Sequence, residues 1–185
     1  MQLLVISGSM GAGKTAVMGE VSDLLLARGI QHAAIDLDMV QTPLLGGAQS
    51  QQVYLKNVTA LFNNCRAAGI ERFVVACAIE NATQLAELAS AAEADTVVVC
   101  RLTAAHQTMA ERLRVREPGL RQHEFVQRAS HLDAILDRAD VEDFSIVNDG
   151  RRLTEVAAEL LERSAWAREG ADIPPGPQKA QKAQS

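Results

Sequence analysis

Five short runs of apolar residues punctuate the chain: Leu3–Ser7 (LLVIS), His32–Asp36 (HAAID), Phe73–Ile79 (FVVACAI), Thr96–Cys100 (TVVVC) and Phe144–Asn148 (FSIVN). All but the second are β-branched or nearly continuous in apolar residues, which is the pattern of strands buried on both faces. Between them the apolar positions recur at helical spacing. Val17, Val21, Leu24 and Leu25 mark one face of a helix that starts at Gly13 or Lys14 and closes at Arg28-Gly29. Val53, Val58, Leu61 and Phe62 mark a second over about 51–68, ending at Gly69. Further helices fit 82–92, 104–117, 121–139 and 152–167. The last carries Leu153, Val156, Leu160 and Leu161 behind a capping region at Asp149 or Gly150. Strands alternating with helices predict an α/β fold with a parallel sheet covered on both faces.

With 185 residues the chain fits one domain with a substantial core. The periodicity assigns 1–167 to that domain, and 168–185, rich in Pro, Gln and Lys, to a disordered tail. A net charge of -5 and only 3% aromatic residues disfavour nucleic acid as a partner. No apolar run approaches the roughly 20 residues that span a bilayer, and Cys65, Cys77 and Cys100 have neither disulfide nor zinc spacing. The expectation is a cytoplasmic protein with reduced thiols and no membrane partner.

The candidate chemistry starts between the first strand and the first helix. Gly8-Ser9-Met10-Gly11-Ala12-Gly13-Lys14-Thr15 satisfies GxxxxGK[ST] in the strand-to-helix context that the motif requires. Its glycines let backbone N–H groups reach phosphate oxygens, and the helix N-terminus adds a favourable dipole. Lys14 then faces the β and γ phosphates, and the Thr15 hydroxyl is a ligand for Mg²⁺. This P-loop predicts binding of a nucleoside triphosphate with Mg²⁺, and the fold class becomes a P-loop NTPase sandwich of three layers.

Other motifs choose among P-loop chemistries. The DxxG and NKxD of a GTPase are absent, and the third strand ends without an aspartate, with Glu80 only a weak substitute for an ATPase carboxylate pair. The second strand instead ends in AIDLDMV, placing Asp36 and Asp38 at the rim where a parallel sheet opens its ligand crevice. If the strand continues, the two carboxylates point to opposite sides, one toward the waters of a metal and the other toward an acceptor hydroxyl. The competing reading is a strand end that caps the next turn. Further on, Arg112 and Arg116 share a helix face, with Arg114 offset and Arg121 beyond the Pro118-Gly119 break. Such guanidinium groups stack on a base or grip phosphates, on a lid over about 103–121 that closes on substrate. They also fit a solvated face balanced by Glu111 and Glu117.

The order GxxxxGKT, DxD, ERLRVRE and VNDGRRLTEVAAELL resembles the small P-loop kinases of the nucleoside monophosphate kinase-like group. That group includes adenylylsulfate, shikimate and gluconate kinases and chloramphenicol phosphotransferase. The resemblance covers Met1 to Trp166 and implies a five-stranded sheet in the order 2-3-1-4-5 with a helical lid. It implies that Gly8 through Thr15 bind ATP and Mg²⁺, that Lys14 also acts in transfer, and that Asp36 serves the metal and Asp38 the acceptor. It further implies that Arg112 packs on adenine, that Arg116 reaches the transferring phosphate, and that Asn148 to Arg151 line the adenine pocket.

The chain departs from the group's patterns at the acceptor side. It lacks the Gly-Gly of shikimate kinases, the glycine and Asn-x-Arg of adenylylsulfate kinases and the histidine of gluconate kinases, so no named substrate carries over. Acceptor contacts are expected from 39–66, where Gly46-Gly47, Tyr54, Lys56 and Asn57 stand out, and from Glu80 and Asn81. Tyr54 equally suits helix packing and Asn81 a helix cap. His32, His123 and His131 carry no expected catalysis. The function expected is ATP- and Mg²⁺-dependent phosphoryl transfer to a hydroxyl or phosphate of a small metabolite. The alternative is a nucleotide-binding regulatory module whose lid signals to a partner.

Overall fold

The computed structural model describes residues 1–41, 47–116 and 122–166. The Pro118-Gly119 break, Arg121, Gly46 and the expected tail from 168 onward lie outside the described residues. Strands β1 (Gln2–Gly8), β2 (Ala33–Asp36), β3 (Arg72–Ala76), β4 (Thr96–Thr103) and β5 (Phe144–Val147) form one parallel sheet in the order β2-β3-β1-β4-β5. Helices α1 (Lys14–Ala27), α2 (Gly47–Ala67), α3 (Ala82–Ala92), α4 (His106–Arg116), α5 (Gln122–Ala139) and α6 (Leu153–Arg163) connect and follow them. The apolar spacing places α3 at its observed bounds.

Alternate residues of each central strand point to opposite faces, so the sheet divides the core in two. Leu4 and Ile6 of β1 meet Val17, Val21 and Leu25 of α1 and Val156 and Leu160 of α6 on one side. Leu3 and Val5 meet Val58 and Phe62 of α2 and Leu88 of α3 on the other. There Phe62 stands edge-on to Phe73 of β3, with centroids 4.9 Å apart at 84°, an arrangement worth about 0.5–1.5 kcal/mol beyond area burial.

Local stops work as the sequence suggests. At the end of α1, Ile30 N–H donates to Leu25 C=O and Gly29 N–H to Leu26 C=O, with Gly29 at φ 68°, a Schellman closure that needs a residue with positive φ. Helix α2 closes in the same manner through Ile70, Gly69, Cys65 and Arg66. Helix α6 differs from the expectation of a cap at Asp149 or Gly150. Its N-cap is Arg152, which makes no side-chain cap bond, because the Asp149 carboxylate accepts from Ala105 N–H at 2.5 Å and ties the β5–α6 turn to the start of α4. No described helix is long and apolar enough to cross a membrane.

Candidate active site

The strand β1 delivers the loop Gly8–Gly13 at the C-terminal rim of the sheet, and α1 starts at Lys14. Two of its glycines are required by what lies against them. A Cβ on Gly11 would come within 2.7 Å of the Met109 carbonyl oxygen on α4, and one on Gly13 within 2.5 Å of Asn148 Nδ2. Both have positive φ, 82° and 100°, a region that disfavours side chains. The loop is thus clamped between α4 and the end of β5, and Ala12 N–H closes it on Ser9 C=O at 3.3 Å.

Side chains from distant positions hold that shape. The buried Ser9 hydroxyl donates to the Ala129 carbonyl in α5 at 2.6 Å. Ala12 C=O accepts from Asn148 Nδ2 at 2.8 Å and from Arg112 Nη1 at 3.3 Å, and Arg112 also donates to Gly11 C=O and Asn148 C=O. Arg112 and Asn148 therefore sit beside the phosphate loop, with the Arg112 guanidinium bonded to backbone carbonyls. Met10, Arg112 and Arg116 line the cavity in front of the loop.

Lys14 is 8% exposed. Its Nζ donates to Gly8 C=O at 3.1 Å and Ser9 C=O at 3.4 Å and pairs with Asp38 at 3.2 Å. Thr15 Oγ1 donates to Asp36 Oδ2 at 2.6 Å. The expectation that Asp36 and Asp38 point to opposite sides needs correction, because β2 stops at Asp36 and the chain turns into a 3-10 helix, Leu37–Val40. Asp36 caps that turn by accepting from Asp38 N–H at 3.1 Å, which brings both carboxylates onto the phosphate loop. The capping reading of the pair thus holds, and the same turn sets Asp36 beside Thr15 and Asp38 beside Lys14.

The Thr15–Asp36 pair suits a hard cation. Both offer the oxygen donors that such an ion takes, a hydroxyl and a carboxylate, and they are hydrogen-bonded to each other at 2.6 Å.

A cavity of about 1220 Å³ extends from the loop, above the roughly 300–1,000 Å³ usual for one small ligand. Its far wall comes from the end of β3, α2 and α3. Tyr54 lines it, and burial first, then Cys77 and Asp38, push the tyrosine hydroxyl above its ordinary value, so it is a neutral donor there. Burial first, then Asp38, likewise pushes up the Cys77 thiol at the cavity floor, which leaves no thiolate nucleophile. Asn81 caps α3 by accepting from Gln84 N–H at 2.9 Å, and Glu80 lines the cavity beside it.

Some residues were missed by the sequence reading. Arg128 of α5 and Gln84 and Glu87 of the far wall line the cavity, as does Gln51 within the expected 39–66. Arg101 on β4, with a side chain 5% exposed, pairs with Asp133 at 2.9 Å and Asp137 at 2.8 Å on α5 and with Glu142 at 3.7 Å. It anchors the helix that Ser9 bonds. An arginine ending the apolar run Val97–Cys100 was the available signal, since arginine is rarely buried unless paired.

No protein-family model and no curated protein matches the sequence. Solved structures do. A sugar kinase from Janibacter sp. HTCC2649 aligns with a TM-score of 0.61 at 19% identity, covering 95% of this chain and 96% of that one. A gluconokinase from Sinorhizobium meliloti 1021 aligns at 0.59 and 20%, covering 87% and 89%. An APS kinase from Mycobacterium tuberculosis, in complex with AMPPNP and APS, aligns at 0.58 and 20%, covering 87% and 95%. At these identities the likeness shows the fold: the chain has the P-loop architecture shared by small-molecule kinases.

Proposed function

We propose that the chain is an ATP- and Mg²⁺-dependent kinase that transfers the γ-phosphoryl group to a hydroxyl of a small metabolite. The observation that carries this reading is the convergence of Asp36 and Asp38 on Lys14 and Thr15. A nucleotide-binding loop alone has no use for a second carboxylate at the mouth of a cavity with room beyond the nucleotide. The fold it shares with small-molecule kinases points the same way.

In this reading the loop N–H groups and the start of α1 bind the phosphates, and Lys14 exchanges its bonds to Gly8 and Ser9 for phosphate oxygens. Thr15 and Asp36 would hold Mg²⁺, Asp36 through water, and the ion would supply positive charge that offsets the phosphates. Asp38 orients the acceptor hydroxyl and receives its proton. The hydroxyl oxygen bonds the γ phosphorus, the bond to the bridging oxygen breaks, and its electron pair leaves with ADP. Arg116, on the cavity wall, serves the charge that develops on the transferring group. Arg112 keeps the loop in shape from beneath and flanks the nucleotide.

Asp38→Asn tests the assignment. Acceptor-stimulated ADP release should fall by about 100-fold or more, while Mg-ATP binding, followed by calorimetry, is retained. A variant that keeps its turnover refutes the role of Asp38. If the wild type binds Mg-ATP but no metabolite stimulates ADP release, the regulatory-module reading takes its place.

A further inference from the structure

The cations of the cavity are confined to one side, where Asp36 and Asp38 also lie. Among the described lining residues every cation, Lys14, Arg112, Arg116 and Arg128, comes from the phosphate loop side, α4 and α5. The opposite wall, from the end of β3 through α2 and α3, presents Glu80 and Glu87 with Gln51, Gln84 and Tyr54, and no described cation. Two of these contacts fix orientation. Glu87 Oε2 accepts from Gln51 Nε2 at 3.0 Å, and Gln84 Oε1 accepts from Glu80 N–H at 2.8 Å, so Gln84 has its carbonyl committed and its amide N–H groups left for other partners.

Resting on the kinase reading above, we infer that the acceptor is a hydroxyl-bearing amine: a small polyol or sugar-like ring with a protonated amino group. An acceptor carrying a carboxylate would set like charges against Glu80 and Glu87, which is costly in a partly dry cavity. A neutral polyol would bond them but leave their charge uncompensated. An ammonium supplies three donors and the opposite charge. The phosphoryl group goes to a hydroxyl of this molecule. Its oxygen bonds the γ phosphorus as the bond to the bridging oxygen of ATP breaks, ADP takes the electron pair, and Asp38 takes the hydroxyl proton. The ammonium, kept protonated by the negative charge of this wall, has no lone pair with which to compete.

The test measures Mg-ATP binding first, then ADP release with two series matched in ring and differing in charge. One is D-glucosamine, D-glucose and D-glucuronate; the other is 2-deoxystreptamine, myo-inositol and quinate. In at least one series the amine should exceed the acid in kcat/KM by about tenfold or more, and Glu87→Gln and Glu80→Gln should each erase most of the amine's advantage over the neutral member. An acid or neutral member that works best overturns the inference while sparing the kinase reading. So does a chain that binds Mg-ATP but responds to neither amine. Failure to bind Mg-ATP removes the kinase reading itself.

Discussion

Replacing Gly13 by alanine perturbs the phosphate loop at its tightest point, and the cost follows from two separable causes. Gly13 holds φ 100°, ψ 18° at the N-cap of α1. An L-residue there costs about 1–2 kcal/mol. The new methyl would also lie 2.5 Å from Asn148 Nδ2, which must leave its buried bond to Ala12 C=O, at about 1–2 kcal/mol. Together they predict a loss of about 2–4 kcal/mol, or roughly 10 °C in Tm for a chain of this length. Asn148→Ala alone should cost the buried bond, about 1–2 kcal/mol. In the double variant the bond is already gone and the methyl meets only Arg112 Nη1 at 3.7 Å, an ordinary contact, so only the backbone strain is added. Urea denaturation of the four proteins at constant m should therefore show the double variant more stable than the sum of the singles by about 1–2 kcal/mol. If the two losses add to within about 0.5 kcal/mol, the methyl does not press on Asn148 and the reasoning is wrong.

Arg101→Met keeps the apolar stem but leaves Asp133 and Glu142, 17% and 18% exposed, without their shared cation. Urea unfolding should show a loss of about 3 kcal/mol or more, with hydrogen exchange rising first in α5; a loss below about 1 kcal/mol would deny the cluster its anchoring role. Acid should expose a third pairing. Hydrogen bonding from Arg151 first, and from Arg163, holds the Glu159 carboxyl below its ordinary range. In the folded chain it binds its proton at lower pH than in the unfolded chain, so its contribution is present above the ordinary carboxylate range and fades as pH falls toward the depressed value. Glu159→Gln should thus show a shallower fall of Tm than wild type between neutral and acid pH, and parallel curves would count against the pairing.

Local signals and long-range ones fared differently. The P-loop, the Schellman ends at Gly29 and Gly69 and the bounds of α3 were legible because each is encoded within a few residues. The DxD was legible as a pair but not in its geometry. Nothing in AIDLDMV says whether β2 runs past Asp36 or turns there, and a turn of three residues decides whether Asp38 faces Lys14. The ties that hold the loop were not legible at all. Ser9 bonds a carbonyl 120 positions away and Asn148 one 136 away, and periodicity reports which residues face inward without saying whom they meet. The same holds for Gln51 and Glu87, which join α2 to α3 across 36 positions.

The two halves of the cavity are therefore built by different means. The near half is backbone: a loop whose Gly11 and Gly13 are pressed against α4 and Asn148 and whose carbonyls are tied to α4 and the end of β5. A change there disturbs the packing of several elements at once, so the fold and the loop constrain each other. The far half is side chains of α2, α3 and the turn before α3, where Gln51 is solvent-exposed and Glu80, Gln84 and Glu87 half-buried. Exchanging them alters charge and donors without opening a void in the core around Phe62 and Leu88. On the kinase reading proposed above, the determinants of acceptor choice belong on the wall that carries Glu80 and Glu87, where exchange leaves the phosphate loop unchanged.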